Sequence, residues 1–287
     1  MRFTKIDLGK LDWLIHHPQF RQHKIKTVMR VLLWELKRLG NKTVLVRFDG
    51  SDFVVDCRDG IGRVLFYFDG QIEQEIFRFL NGYLRPGFTV VDVGANIGIY
   101  AKFAAKRVAP DGLVYAFEPN PAVFPRLVRN TKTDNVQPMP YALGEGPGTI
   151  TFKIAEDTAK CTTYLDENIS STIDVPSVSL DAFNEETMAG IAIDYLKIDV
   201  AGADFQVLRG AAKLLSDQKI RLVQIECLYD EREIRTFLMD HHYRLGEVLP
   251  DGTFAYLNHG EPRDPRANAR APINLFAHPP HVQLTAQ

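Results

Sequence analysis

Apolar positions along the chain change their spacing twice. Between Lys24 and Leu39, Val28, Val31, Leu32, Leu36 and Leu39 recur at helical intervals and Gly40 supplies a stop, which predicts an amphipathic helix. Its polar positions carry Lys24, Lys26, Arg30, Lys37 and Arg38. From Thr43 to Phe68 the pattern alternates, with FDGSDF and CRDGIG as turn signals, and predicts short strands or hairpins. From Gln71 onward, continuous apolar runs alternate with helical segments. QIEQEIFRFLNGYL predicts a helix, Thr89–Val93 a buried strand, Gly98–Ala109 a helix, Leu113–Phe117 a strand and Pro121–Thr131 a helix. Further strands are expected at Val136–Leu143, Thr149–Ile154, Tyr195–Val200, Leu222–Cys227, Tyr243–Val248 and Asn274–Ala277, and helices at Ala203–Leu215 and Glu231–Asp240.

Strands alternating with helices imply an α/β fold, a doubly wound and mostly parallel sheet covered on both faces. Residues 1–70 form an N-terminal helical and short-strand extension, and 71–287 the catalytic domain. In such sheets ligands bind beyond the carboxyl ends of the strands, near the reversal of strand order. Residues just after each strand are therefore where chemistry is sought.

Composition narrows the classes. The 287 residues are 45% hydrophobic and 24% charged, ordinary for a globular chain, and the formal net charge of -2 gives no global field to recruit nucleic acid. Cys57, Cys161 and Cys227 match neither a zinc spacing nor a disulfide framework, and the first residues lack a continuous apolar stretch, so a cytoplasmic protein is expected. The basic helix at Lys24–Leu39 has the composition of a membrane-surface helix, but a solvated face over a packed one is the commoner arrangement, and membrane contact is not expected.

Three segments carry candidate chemistry. In VVDVGANIGIY a strand runs into Asp92, Gly94, Asn96 and Gly98 and a helix follows. The glycines allow close backbone approach, the helix start offers amides to a carboxylate, and Asp92 would attract an ammonium, so an amino-acid-like ligand end fits better than a pyrophosphate. The dinucleotide fingerprint is not matched, because Asn96 and Ile99 stand where it needs glycines. In VYAFEPNP, Glu118 ends the next strand about 20 positions on, where a carboxylate accepts two ribose hydroxyls, though a helix-initiating acid has the same position. In DYLKIDVAGAD, Lys197 and Asp199 alternate at the end of an apolar strand, so they line a site or pair with each other, while Asp204 suits a first helical turn. Glu226, ending LVQIEC, points to the same cleft or pairs with Arg221 or Arg232. His241 and His242 read as helix caps.

The ordered set VVDVGANIG, VYAFEPNP, LKIDVAGAD and VLRGA resembles the FkbM family of methyltransferases, best over Gln71–Cys227. The resemblance implies a class I (Rossmann-like) methyltransferase fold, S-adenosylmethionine as donor, and a hydroxyl acceptor on a sugar or natural-product-like metabolite. It also implies that Asp92, Gly94, Asn96 and Gly98 contact the methionine end of the donor, that Glu118 holds the ribose, and that the stretch from Tyr141 and Ala142 to Leu143 lies near the adenine. Glu73 or Glu75 matches an acidic position before the family's Pro-Gly. One departure stands out: the family pattern Asp-Val-Glu-Gly reads Asp-Val-Ala-Gly here, with Ala201 in place of the glutamate.

The expected reaction is in-line attack of an acceptor hydroxyl on the donor methyl, with Asp199 as proton acceptor or aligning group and Lys197 and Glu226 beside it. Two carboxylates fall short of a hard cation's oxygen set, so no metal is expected. The alternative is a donor-binding protein, impaired in catalysis by Ala201 and acting as a partner or scaffold. Acceptor specificity is expected in the first 70 residues, Lys153–Ile173 and Leu249–Pro272.

Overall fold

The computed structural model describes residues 20–21, 23–40, 43–57, 60–133, 135–155, 161–162, 169–200, 202–227, 231–257 and 273–284. The chain divides into two compact units, Met1–Ile72 and Glu73–Gln287.

In the first unit, helix α1 (Lys24–Leu39) precedes an antiparallel hairpin of β1 (Thr43–Phe48) and β2 (Ser51–Asp56), followed by helix α2 (Gly60–Tyr67). The expectation of strands as far as Phe68 fails at α2. Ile61, Val64, Leu65 and Phe68 stand at helical intervals, with Leu65 and Phe68 buried, and Gly62 lets the helix approach β2 so closely that an added Cβ would lie 2.7 Å from Val55 Cβ. The α1 helix is present as expected, but its orientation is not. It packs through Trp34, whose ring meets Phe66 and Tyr67, while Leu32, Leu36 and Leu39 face outward.

The second unit begins with α3 (Gln74–Tyr83), β3 (Thr89–Val93), α4 (Ile99–Val108), β4 (Leu113–Phe117), α5 (Phe124–Asn130) and β5 (Val136–Met139). A side sheet follows, formed by β6 (Ala142–Leu143), β7 (Gly148–Ala155), β8 (Cys161–Thr162) and β9 (Ile169–Val178) in the order β6-β9-β7-β8. The chain then runs through α6 (Leu180–Glu186), β10 (Tyr195–Ile198), α7 (Asp204–Arg209), α8 (Ala212–Ser216), β11 (Val223–Cys227), α9 (Glu231–Asp240), β12 (Arg244–Val248), β13 (Phe254–Tyr256) and β14 (Ile273–His278).

The main sheet has the order β13-β12-β14-β11-β10-β3-β4-β5. From β11 to β5 it is parallel, and β14 runs antiparallel to both β11 and β12. Strand order reverses between β3 and β10, which places the ligand crevice at their carboxyl ends. Val91, Val93, Leu196, Ile198, Val223 and Ile225 fill the core there with Leu180 and Leu208.

Two expected elements are divided. Val136–Leu143 is not one strand, since Pro140 cannot donate to a ladder and the chain leaves β5 for the side sheet at β6. Ala203–Leu215 is not one helix. Gly210 lies so near Gly144 that an added Cβ would be 1.8 Å from its carbonyl oxygen, and the helix breaks there.

Candidate active site

The glycine turn after β3 is built by close approach. Gly94 (φ +80°) passes so near the end of β10 that an added Cβ would sit 2.0 Å from the Asp199 carbonyl oxygen. The amides of Gly94 and Ala95 both donate to the Phe117 carbonyl at 3.0 and 2.9 Å, tying the turn to β4. Asn96 takes a left-handed conformation (φ 50°), which asparagine tolerates better than most residues, and Gly98 (φ +90°) starts α4. Glu118 braces this turn. Its Oε2 accepts the Asn96 amide at 3.0 Å and its Oε1 the Asn120 amide at 2.8 Å. Burial outweighs both amides and pushes the carboxyl up to about 7. Each oxygen keeps a second lone pair, which is the capacity needed to accept two vicinal hydroxyls.

Register assembles the charged cluster. Lys197 on β10 pairs with Asp92 on β3 and with Gln224 on β11, so the three side chains share one face of the sheet in one row. Lys197 Nζ donates to Asp199 Oδ2 at 2.9 Å, stands 3.9 Å from Asp92 Oδ1 and lies 4.5 Å over the Tyr100 ring. Burial alone would lower the lysine, but Asp199 and then Asp92 outweigh it and hold its pKa above the ordinary value, so it is charged. Asp92 is 1% exposed, and burial raises its carboxyl to about 6 against the pull of Lys197. The Ala101 amide exerts a weaker pull without meeting hydrogen-bond geometry, and both Asp92 oxygens lack a hydrogen-bond partner. A buried carboxylate in that state suits an ammonium or water brought by a ligand.

Around this row runs a closed ring of hydrogen bonds. Tyr100 Oη donates to Glu73 Oε2 at 2.9 Å, and Gln224 Nε2 reaches Tyr100 Oη at 3.4 Å and Asn274 Oδ1 at 2.8 Å. Asn274 Nδ2 returns to Glu73 Oε1 at 3.4 Å, and the Tyr195 hydroxyl donates to Gln224 Oε1. Glu73, in a left-handed conformation before α3, is raised by burial more than Lys197 and the Tyr100 hydrogen bond lower it. Glu226 is pushed up to about 8 by burial and then by the negative Asp199 and Glu73. Burial and these neighbours favour a proton on Glu226 beside Asp199, whose side chain is 39% exposed and opens outward.

Asp92, Lys197, Asp199, Glu226 and Glu73 are brought together, and Gly94, Asn96, Gly98 and Glu118 form the adjoining turn. Arg221 is bound to Asp194 at 2.9 Å and is not the partner of Glu226. Asp204 is structural: its oxygens accept the Val200 and Gly202 amides at 3.2 Å each. The His241 ring meets the Phe237 carbonyl at the end of α9, a capping position. Tyr141 packs edge-on against Phe117 and Phe183, and Ala142 packs with Phe152 and Val175 at the side sheet. Ala201 lies outside the described residues. Among the described residues, no group of three or more His, Cys, Asp or Glu side chains is arranged to hold a metal ion. Sequence reasoning passed over Tyr195, Gln224, Tyr100 and Asn274. The signal for the first two was available, since Tyr195-Lys197-Asp199 and Gln224-Glu226 alternate on otherwise apolar strands.

A family model described as a methyltransferase FkbM domain matches residues 92–245, which span every member of the cluster except Glu73 and Asn274. Hexuronic acid methyltransferase AglP from Haloferax volcanii is 27% identical over 222 residues, covering 75% of this chain and 89% of that protein. Methyltransferase 1 from Beauveria bassiana is 31% identical over 144 residues, covering 42% of this chain and 57% of that protein. Among solved structures, a SAM-dependent O-methyltransferase from Thermotoga maritima aligns at a TM-score of 0.41 and 12% identity, covering 82% of this chain and 77% of that one. The match from the glycine turn at Asp92 through β12 places this chain in the FkbM family of S-adenosylmethionine-dependent methyltransferases.

Proposed function

We propose that this methyltransferase O-methylates a hydroxyl of a sugar or sugar-like metabolite, with Asp199 receiving the hydroxyl proton. The carrying observation is the Asp199–Glu226 pair at the open end of the buried row of Asp92, Lys197 and Gln224. Asp199 is partly exposed, Lys197 holds it by a 2.9 Å hydrogen bond, and the Glu226 carboxyl beside it is pushed up by burial, which favours its protonated form. The bound donor supplies an activated methyl group, so the protein's share is positioning, exclusion of water and a proton acceptor. Glu118, through its spare lone pairs, would hold the ribose hydroxyls, and the Gly94–Gly98 turn with Asp92 the amino-acid end. Tyr141 and Ala142 are assigned to the adenine side only by the family resemblance.

The charge balance favours a hydroxyl over an ionised carboxylate as acceptor. Even with a proton on Glu226, Asp92 and Asp199 outnumber the ammonium of Lys197 among the described residues, and an acceptor carboxylate brought beside Asp199 would be repelled. The relative named as a hexuronic acid methyltransferase supports a sugar-type acceptor. The test is incubation with deuteromethyl-labelled donor and a panel of hexoses and hexuronic acids, followed by mass spectrometry. Label on a hydroxyl oxygen is the expected product, and label only on carboxyl oxygens would overturn the reading. A second reading, a donor-binding partner that no longer transfers, rests on Ala201. If it holds, no acceptor is labelled by the parent chain, and Ala201→Glu restores transfer without changing donor affinity.

A further inference from the structure

Helix α1 presents an apolar face that the described residues of its own unit do not cover. Ile25, Val28, Met29, Leu32, Leu33, Leu36 and Leu39 are all exposed, from 45% at Val28 to 86% at Leu39. At about 100° per residue they form one stripe of about 140°. Trp34 and Thr27, both buried, lie on the opposite side of the helix. The orientation is fixed from that opposite side. Trp34 meets Phe66 and Tyr67, Lys26 Nζ binds Asp69 at 2.8 Å, Arg30 also binds Asp69, and Arg30 Nη1 donates to the Phe66 carbonyl at 2.9 Å. Exposed apolar residues scattered singly are ordinary, whereas seven in one stripe mark an interaction surface.

We propose that this face lies in the surface of an anionic lipid bilayer, with the helix axis parallel to the membrane plane. Lys37 stands beside one edge of the stripe and Lys24 beside the other, each about 40° from the nearest apolar position, while Lys26 and Arg38 are ion-paired to Asp69 and to Glu35, the single acid in the helix. That pattern is complementary to acyl chains beneath and anionic headgroups beside. It contrasts with the chain as a whole, whose formal net charge is -2. Sixteen residues extend about 24 Å along a helix axis, and among the described residues no helix is long and apolar enough to cross a membrane, so the helix lies on the surface. A second copy is a poorer occupant. Two-fold antiparallel pairing of the stripe would bring Lys24 of one copy toward Arg38 of the other, and parallel pairing would set like residues together.

The full chain, co-sedimented with vesicles of phosphatidylcholine alone and of phosphatidylcholine with phosphatidylglycerol, tests this. Binding should be at least roughly tenfold stronger to the anionic vesicles and should fall as salt is raised. Leu32→Glu with Leu36→Glu should abolish it. Lys24→Glu with Lys37→Glu, which leaves the apolar stripe intact, should weaken it by roughly tenfold or more. All four positions lie away from the packed side, so far-ultraviolet circular dichroism should be unchanged. Should the leucine pair misfold, the lysine pair decides alone. The proposal is overturned if the chain fails to bind anionic vesicles at low salt, or if the lysine pair binds as the parent does. It is also overturned if light scattering shows a dimer that the leucine pair dissolves while vesicles stay unbound.

Discussion

Lys197→Met should convert the middle of the sheet into a pH-sensitive element. The ammonium is 3% exposed and is the cation facing Asp92 at 3.9 Å, and methionine keeps much of its aliphatic volume. Breaking a buried ion pair from one side costs about 3–5 kcal/mol when the remaining charge cannot escape. Asp92 can escape by taking a proton, and the size of the loss therefore depends on pH. In the parent, burial already raises Asp92 from 3.8 to about 6, so the native state binds a proton that the unfolded chain releases, and stability falls as pH rises through that window. Without Lys197 the carboxyl is raised further and the decline continues past 6, at up to about 1.4 kcal/mol per pH unit. The variant should thus approach the parent at about pH 5, where Asp92 is protonated in both, and lie about 3 kcal/mol below it at about pH 8. Glu73 and Glu226, which Lys197 also holds down, are raised with Asp92 in the variant and add to the decline in the same direction. Native-state hydrogen exchange of the β3 and β10 amides reads this unit without depending on the other. A loss that does not change with pH would show that Lys197 acts by packing, and the electrostatic account of the row would fail.

Glu118→Ala should weaken donor binding by about 1–3 kcal/mol in calorimetric titration, with Glu118→Gln weaker than the parent but better than alanine; unchanged affinity removes Glu118 from the ribose role. Gly94→Ala should destabilise the protein by about 2–4 kcal/mol in thermal melts, from the combined strain of φ +80° and a Cβ placed 2.0 Å from the Asp199 carbonyl oxygen, and a variant as stable as the parent would contradict that approach.

Much of the site was legible because it is local. The glycine turn, Glu118 and the Lys197–Asp199 alternation each sit within a few residues of a strand end, and the doubly wound rule says that strand ends are where to look. The strand Thr89–Val93 was legible as an uninterrupted apolar run, since both faces of the sheet are covered there. What escaped was long-range. Asn274 meets Glu73 across 201 positions of sequence, and no periodicity announces that contact. Side-sheet strand β9 carries Ser, Thr, Asp and Pro among its apolar residues, and only pairing with β7 explains why it is a strand. The orientation of α1 was misjudged because the larger apolar stripe was assigned to the core, whereas Trp34 on the other side, with Lys26 and Arg30 bound to Asp69, anchors the helix. Of the segments expected to recognise the acceptor, Lys153–Ile173 and Leu249–Pro272, residues 156–160, 163–168 and 258–272 lie outside the described residues.

In the proposed reaction Asp199 receives the acceptor proton, in a site whose donor binding does not depend on it. Single-turnover methyl transfer to an accepted sugar, measured for the parent and for Asp199→Asn with donor affinity titrated alongside, tests it most directly. Loss of general-base assistance predicts a rate lower by roughly 10²–10⁴-fold, with donor affinity within about twofold of the parent. A rate equal to the parent's, in a variant that binds the donor normally, would contradict the assignment and move proton acceptance elsewhere in the cluster.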